Sequence, residues 1–179
     1  MPVAGMPYDH ARNTAAKACL DNGFEWLFSL DSDVIPPRDA ILRLLAHKQP
    51  FISGLYHRRS PPDGVPVMIR NGSWVTDYPP GKVVEVHLVG AGCLLTHRSV
   101  VEYFFKNPQR PGKPMFDWRV DLAGLIPPGK ALSEDFTTCD AWRAQGGHIL
   151  VDTSVECKHV GYSEYRKGGS RPLDTNPNT

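Results

Sequence analysis

An α/β fold around a mostly parallel sheet is what the sequence predicts, on three observations. Helix-like and strand-like stretches alternate through the first half of the chain, the pattern of strands joined by helical crossovers. The run Phe24-Glu25-Trp26-Leu27-Phe28-Ser29-Leu30 is almost continuously apolar, as a strand covered on both faces would be. That run stops at Asp31-Ser32-Asp33, and in open α/β sheets ligands gather at the carboxyl ends of strands. With 179 residues, 41% of them hydrophobic, the chain can bury one substantial core. A single domain over residues 1–167 and a loose polar tail over 168–179 are expected.

The elements follow in order. Arg12 to Asn22 is rich in helix formers and ends at Gly23, a residue suited to a helix C-terminus. The FEWLFSL strand follows. Pro36 and Pro37 suit a loop and the first turn of a helix over Arg38 to Lys48, where Ile41, Leu44 and Leu45 fall at helical spacing. PFISGLY is a strand, and VPVMIR and SWVTDY flank Asn71-Gly72 as the two arms of a hairpin. VVEVHLVGAGCLLTHR gives one or two strands broken at Gly90-Ala91-Gly92, where missing side chains let the backbone bend or approach something closely. A helix over Ser99 to Lys106 precedes an irregular stretch from Asn107 to Lys130. Ser133 is a ready N-cap for a helix over SEDFTTCDAWRAQ that stops at Gly146-Gly147, and HILVDTSV is the last strand, with Cys157-Lys158-His159 just beyond it.

Composition excludes several function classes. Twenty Lys and Arg against nineteen Asp and Glu leave a formal charge of +1, so nothing in the balance points to nucleic acid or an anionic membrane surface. Cys19, Cys93, Cys139 and Cys157 lie far apart without a C-x-x-C pair, which disfavours a zinc ribbon or a disulfide scaffold and suits a reducing, cytoplasmic setting. The start, MPVAGMPYDHARN, lacks the pattern of an export signal, and no window approaches the roughly 18 apolar residues that a membrane span needs.

Chemistry is concentrated in the acidic break. Carboxylates at i and i+2 just past a strand can turn toward one cation, and Mg²⁺ or Mn²⁺ held by such oxygens keeps positions for substrate phosphate. The same pair also suits an Asx-turn before Pro36-Pro37. LFSLDSDVI resembles the opening motif of haloacid-dehalogenase-type phosphatases, in which Asp31 would be the nucleophile. The late acidic motif of that family needs a spacing that Ser133 to Thr138 does not supply.

A second resemblance covers more of the chain, roughly residues 9 to 161. ARNTAAKACLDNGFEWLFSLDSDVIPPRDAILRLL resembles the central part of GT-A nucleotide-sugar glycosyltransferases of the broad family-2 type, in which an A-R-N helix precedes the D-x-D strand. GAGCLLTHR is similar to their acceptor-side strand, SEDFTTCDAWRAQGG to their E-D helix, and VECKHVG to the segment with their late histidine. The resemblance implies a Rossmann-like three-layer sandwich with a central, mostly parallel mixed sheet. Only MPVAGMPYDH stands where about two further strands and a helix usually precede the A-R-N helix, so relative to that family part of the usual nucleotide-binding half is expected to be missing, the chain being either a minimal version in which PVAG serves as the first strand or a shortened piece.

Carried over residue by residue, the resemblance implies Mn²⁺ or Mg²⁺ at Asp31, Asp33 and His159, with Asp33 the more direct ligand and Asp31 nearer the ribose or sugar. It makes Asp135, beside Glu134, the general base on an acceptor hydroxyl in an inverting hexosyl transfer from a UDP- or GDP-sugar. Acidic residues in a first helical turn also suit the helix dipole, which is the structural alternative for that pair. Arg12, Asn13, Ser32 and the Gly90-Ala91-Gly92 segment are the implied neighbours of the nucleotide-sugar. His57, Arg58 and Arg59 would close over the diphosphate or form an exposed basic turn. Trp118 is the better candidate for acceptor contact, whereas Trp142 sits at core spacing in its helix. A phosphatase and a non-catalytic nucleotide- or sugar-binding module are the alternatives.

Overall fold

A computed structural model of the chain describes residues 7–59, 64–118, 132–161, 163–166 and 169–172. Helix α1 (Tyr8–Asp21) begins earlier than the composition suggested, directly after Pro7. It ends as expected, with Gly23 at φ +71° and Phe24 N–H returning to Cys19 O at 3.0 Å. Strand β1 (Trp26–Leu30) leads through the acidic turn into a two-residue strand β2 (Val34–Ile35), which the sequence did not announce. Helix α2 (Ala40–Ala46) and strand β3 (Phe51–Leu55) follow.

The hairpin forms around Asn71-Gly72, both with positive φ as a two-residue hairpin turn requires, and joins β4 (Met68–Arg70) to β5 (Ser73–Trp74). β6 (Val83–Val86) and β7 (Leu88–Val89) part at His87 and enter different sheets. After the Gly90–Gly92 break come β8 (Cys93–His97) and helix α3 (Arg98–Lys106). Helix α4 (Glu134–Ala144) and the long β9 (Ile149–Glu156) precede β10 (Lys158–Val160), β11 (Ser163–Arg166) and β12 (Gly169–Pro172). Within the tail expected to be loose, Gly169–Pro172 therefore pairs as a strand, and residues 173–179 lie outside the described residues.

The central sheet has the order β1-β8-β3-β9-β6. Its pairing corrects the expectation of a mostly parallel sheet: β3–β9 is parallel, whereas β1–β8, β3–β8 and β6–β9 are antiparallel. An apolar run reports that a strand is covered, not which way its neighbours run. β1, expected to be buried on both faces, is an edge strand, with Leu27 buried but Leu30 exposed. The central strand is β3, buried along its whole length.

Helices cover both faces. On one, Ala16 and Cys19 of α1, Val100, Val101 and Phe104 of α3 and Cys139 and Trp142 of α4 pack with Phe51, Ile149 and Val151. On the other, Ala40 and Leu44 of α2 pack with Ile52, Leu95 and Val155. The fold is thus mixed α/β with a central mixed sheet. Because β1, β3 and β9 run the same way and β8 against them, the ends of three strands and the start of the fourth meet along one edge. No helix among the described residues is long and apolar enough to cross a membrane.

Candidate active site at the carboxyl edge of the sheet

The turn after β1 is fixed by its own backbone. Asp31 N–H donates to Gly92 O at 3.1 Å, and Val34 N–H closes back on Asp31 O at 3.0 Å. The two carboxylates leave this turn toward different partners. Arg12 reaches out of the middle of α1 and forks, donating to Asp31 Oδ1 at 2.5 Å through Nη2 and to Glu134 Oε1 through Nη1. Burial works against the Arg12 charge, but Asp31, Glu134 and Asp135 outweigh it and hold the guanidinium more basic than usual. Burial first, then the neighbouring Asp135, pushes the Glu134 carboxyl above its ordinary range, while Arg12 pulls it back.

Asp135 is locked at the start of α4. Its Oδ1 accepts from the Phe136 N–H at 2.8 Å and from the Ser133 hydroxyl, and its Oδ2 accepts from Ala91 N–H at 3.3 Å. Ser133 occupies the N-cap position as predicted, but its hydroxyl goes to the Asp135 carboxylate and makes no cap bond to the helix backbone. The side chain that organises this helix end is the aspartate.

The Gly90–Gly92 segment needs its missing side chains for a reason internal to the protein. A Cβ on Gly90 would stand 1.9 Å from the Tyr56 hydroxyl, and one on Gly92 would stand 2.8 Å from Tyr56 Cζ and 3.2 Å from Asp31 Oδ2. Tyr56, just past β3, fills that space and accepts a hydrogen bond from Gly92 N–H at 3.1 Å. Burial first and the charge of Asp135 second hold its phenol far above its usual pKa. Sequence reasoning missed Tyr56; the only signal was its place after a buried strand, which marks a core residue as readily as a site residue.

Asp33 meets a separate set of partners. His159, expected just beyond the last strand, lies on β10, which pairs with β2 directly after the acidic turn, so that His159 stands opposite Val34 and Val160 N–H donates to Asp33 O at 2.8 Å. His159 Nε2 is 3.5 Å from Asp33 Oδ2. Its Nδ1 lies 2.7 Å from the carbonyl of His57; a carbonyl only accepts, so Nδ1 carries the hydrogen and Nε2 is the nitrogen turned to the carboxylate. The Tyr56 ring packs edge-on against the imidazole at 5.5 Å. Arg59 Nη1 approaches the same Asp33 Oδ2 at 2.9 Å.

The expected metal trio is therefore gathered only in part. Among the described residues no group of three His, Cys, Asp or Glu side chains is placed to hold a metal ion, and the Asp31 carboxylate is engaged by Arg12. The pair that remains, an oxygen of Asp33 and Nε2 of His159, suits a divalent ion that completes its shell with water and phosphate. Hard divalent ions commonly take one or two protein ligands beside substrate phosphate, and an imidazole hydrogen-bonded through its other nitrogen is the usual oriented ligand.

The other predicted residues divide. Asn13 turns away from the acidic side chains: its amide donates to Phe116 O at 2.6 Å and accepts from Phe116 N–H at 2.9 Å, tying α1 to the loop after α3. Ser32 is exposed at the tip of the acidic turn. The Arg58 guanidinium lies over the Trp74 ring at 4.7 Å, and Trp74 in turn lies 6.3 Å from Phe136. Trp118 is exposed, while Trp142 is a core residue whose indole donates to His148 O at 3.1 Å.

No protein-family model matches the chain, and no curated protein matches it. Among solved structures, the chain is similar to one described as the crystal structure of A197 from STIV. The match covers 88% of this chain and 69% of that one, with a TM-score of 0.58 and 15% sequence identity. At that identity, what the two chains share is a fold.

Proposed function

We propose that the chain is a metal-dependent glycosyltransferase that moves a hexose from a UDP- or GDP-sugar to an acceptor hydroxyl with inversion, in the cytoplasm. One observation carries the reading. The A-R-N helix, the D-x-D turn, the Gly-Ala-Gly segment and the E-D helix, dispersed along the sequence, interlock: Arg12 holds Asp31 and Glu134, while Asp31 and Asp135 both dock on the backbone of Ala91-Gly92. A set of unrelated surface acids would have no reason to share one arginine and one stretch of backbone. All four cysteines are buried and none is in a disulfide.

Each residue has a task in this reading. Asp33 and His159 would hold Mn²⁺ or Mg²⁺, which supplies charge to offset that of a departing diphosphate. An acceptor hydroxyl is a poor nucleophile until its proton is taken as it attacks, and Asp135 is the carboxylate for that step. Its Oδ1 is occupied by two donors, which fixes the rotamer and leaves Oδ2, with a single long bond from Ala91, to receive the proton. Glu134 stays buried against Arg12 and keeps the guanidinium in place, so that Asp31 is oriented toward ribose or sugar hydroxyls by its remaining oxygen.

The test is a thermal-shift panel of UDP-, GDP- and dTDP-sugars with and without Mn²⁺, repeated on Asp33→Ala. At least one donor is expected to raise the melting temperature of the wild type only with metal, and the gain is expected to vanish in the variant. If no nucleotide sugar stabilises the wild type with metal present, donor binding is refuted. Turnover of simple phosphate esters, lost on Asp31→Asn, would instead mark a phosphatase.

A further inference from the structure

We infer that Arg59 makes metal binding at Asp33 and His159 conditional on a diphosphate: the guanidinium holds the metal-ligand oxygen until phosphate draws it away. The inference rests on the part of the reading above that places a divalent ion at these two residues. It starts from a competition visible in the geometry. Asp33 Oδ2 is the atom that Arg59 approaches at 2.9 Å and also the atom that faces His159 Nε2 at 3.5 Å. A divalent cation between that oxygen and that nitrogen would stand within a few ångströms of a fixed positive charge, and like charges at that range repel strongly in a partly buried site.

One of the three partners must therefore leave when the ion enters. His159 is held in place by the His57 carbonyl and by the pairing of β10 with β2, and Asp33 by the turn and by Val160 N–H. Arg59 is the mobile partner: its side chain is 49% exposed and extends from the loop after β3, so it can swing out without disturbing the core. Free metal must displace it into water and forfeit the ion pair. A diphosphate changes this balance, because a guanidinium binds phosphate oxygens in the same forked manner as it binds a carboxylate. The ligand that takes Arg59 also brings oxygens for the ion. Metal and diphosphate then raise each other's affinity by the same factor, as linkage requires.

Mn²⁺ titrations followed by the electron paramagnetic resonance signal of the free ion test this without turnover. The wild type is expected to bind Mn²⁺ alone weakly and to bind it more tightly with uridine 5′-diphosphate at matched free Mn²⁺. Arg59→Ala is expected to bind Mn²⁺ alone at least about fivefold more tightly than wild type, since the loss of an ion pair and of like-charge repulsion both act that way. It should also lose most of the diphosphate-dependent gain, with Arg59→Lys between the two. Asp33→Asn on the Arg59→Ala background should abolish the tighter site, which ties the effect to that carboxylate. Equal or weaker Mn²⁺ affinity in Arg59→Ala, or a tighter site that survives Asp33→Asn, overturns the inference whatever the donor panel gives. A tighter Arg59→Ala site in a protein that binds no sugar nucleotide would instead sink the transferase reading and leave this one standing.

Discussion

Replacing Arg12 by methionine is expected to lower the melting temperature by about 8 °C, a larger loss than a surface arginine would cause. The guanidinium is 12% exposed and Glu134 6%, so removing it leaves buried carboxylates without a counter-charge. Removing one partner of a buried pair costs about 3–5 kcal/mol, and the lower end applies because Asp31 is 34% exposed and partly screened by water. At this chain length about 3 kcal/mol corresponds to roughly 6–12 °C. Arg12→Lys should recover part of the loss and no more, because an ammonium cannot fork between two carboxylates. A melting temperature within a degree or two of wild type would show that Arg12 is not the keystone of the site.

The deficit should also shrink on acidification. In the folded protein Glu134 holds its proton more tightly than the ordinary carboxyl value of 4.5, so its contribution to stability is complete below that pH and fades as the pH rises through the raised folded value. Arg12 restrains that rise; without it the window in which a neutral Glu134 relieves the repulsion extends upward. Asp152 acts in the opposite sense. Its burial is outweighed by hydrogen bonds from Ser154 and the contact with His47, so its carboxyl lies low and its contribution is lost as the pH falls. Arg12→Met and wild type share that loss, so it cancels from the difference between their melting temperatures, which reports the carboxylates that Arg12 holds.

Asp135→Asn is expected to reduce turnover by about 10²–10⁴-fold, the range that a positioned general base supplies. Donor binding should change little, since the donor is assigned to Asp31, Asp33 and His159. The amide is nearly the same shape and keeps an oxygen for the Phe136 N–H and the Ser133 hydroxyl, but it presents an N–H₂ to the Ala91 N–H where the carboxylate presented Oδ2. That clash of donors should cost about 1 kcal/mol, small enough for the variant to fold. Release of nucleoside diphosphate from the sugar nucleotide, with melting temperature as control, separates the two effects. Turnover within tenfold of wild type in a folded Asp135→Asn protein would remove Asp135 from the role of base.

The local elements were legible because their signals are local. Gly23 ends α1, Asn71-Gly72 makes the hairpin turn, and Gly146 closes α4, each through backbone conformations that glycine or asparagine adopts easily. Strand direction was not legible: β8 is as apolar as a parallel strand because both its faces are covered, Leu94 packing into one core cluster and Leu95 into the other, though its neighbours β1 and β3 both run against it. The site divided the same way. Asp31, Asp33, Glu134 and Asp135 stand out as short acidic motifs, whereas the meeting of Arg12 with two of them, 19 and 122 residues away, is a contact that only the fold makes. Asn13 reads like a site residue in sequence, yet its amide is spent on one backbone partner 103 residues away, a contact that no local pattern encodes. Arg59 and His159 meet at one oxygen only because β10 pairs with a two-residue strand too short to leave a periodic trace.

Tyr56 and the two glycines form a single unit of variation. One phenol from just past β3 occupies the volume that side chains at 90 and 92 would otherwise claim, so the floor of the site belongs to the three positions jointly. Mutational drift at one of them is coupled to the others: a methyl group at 90 demands a smaller residue at 56, and a smaller residue at 56 opens a hole beneath Asp31. Between related chains these positions should change together or not at all.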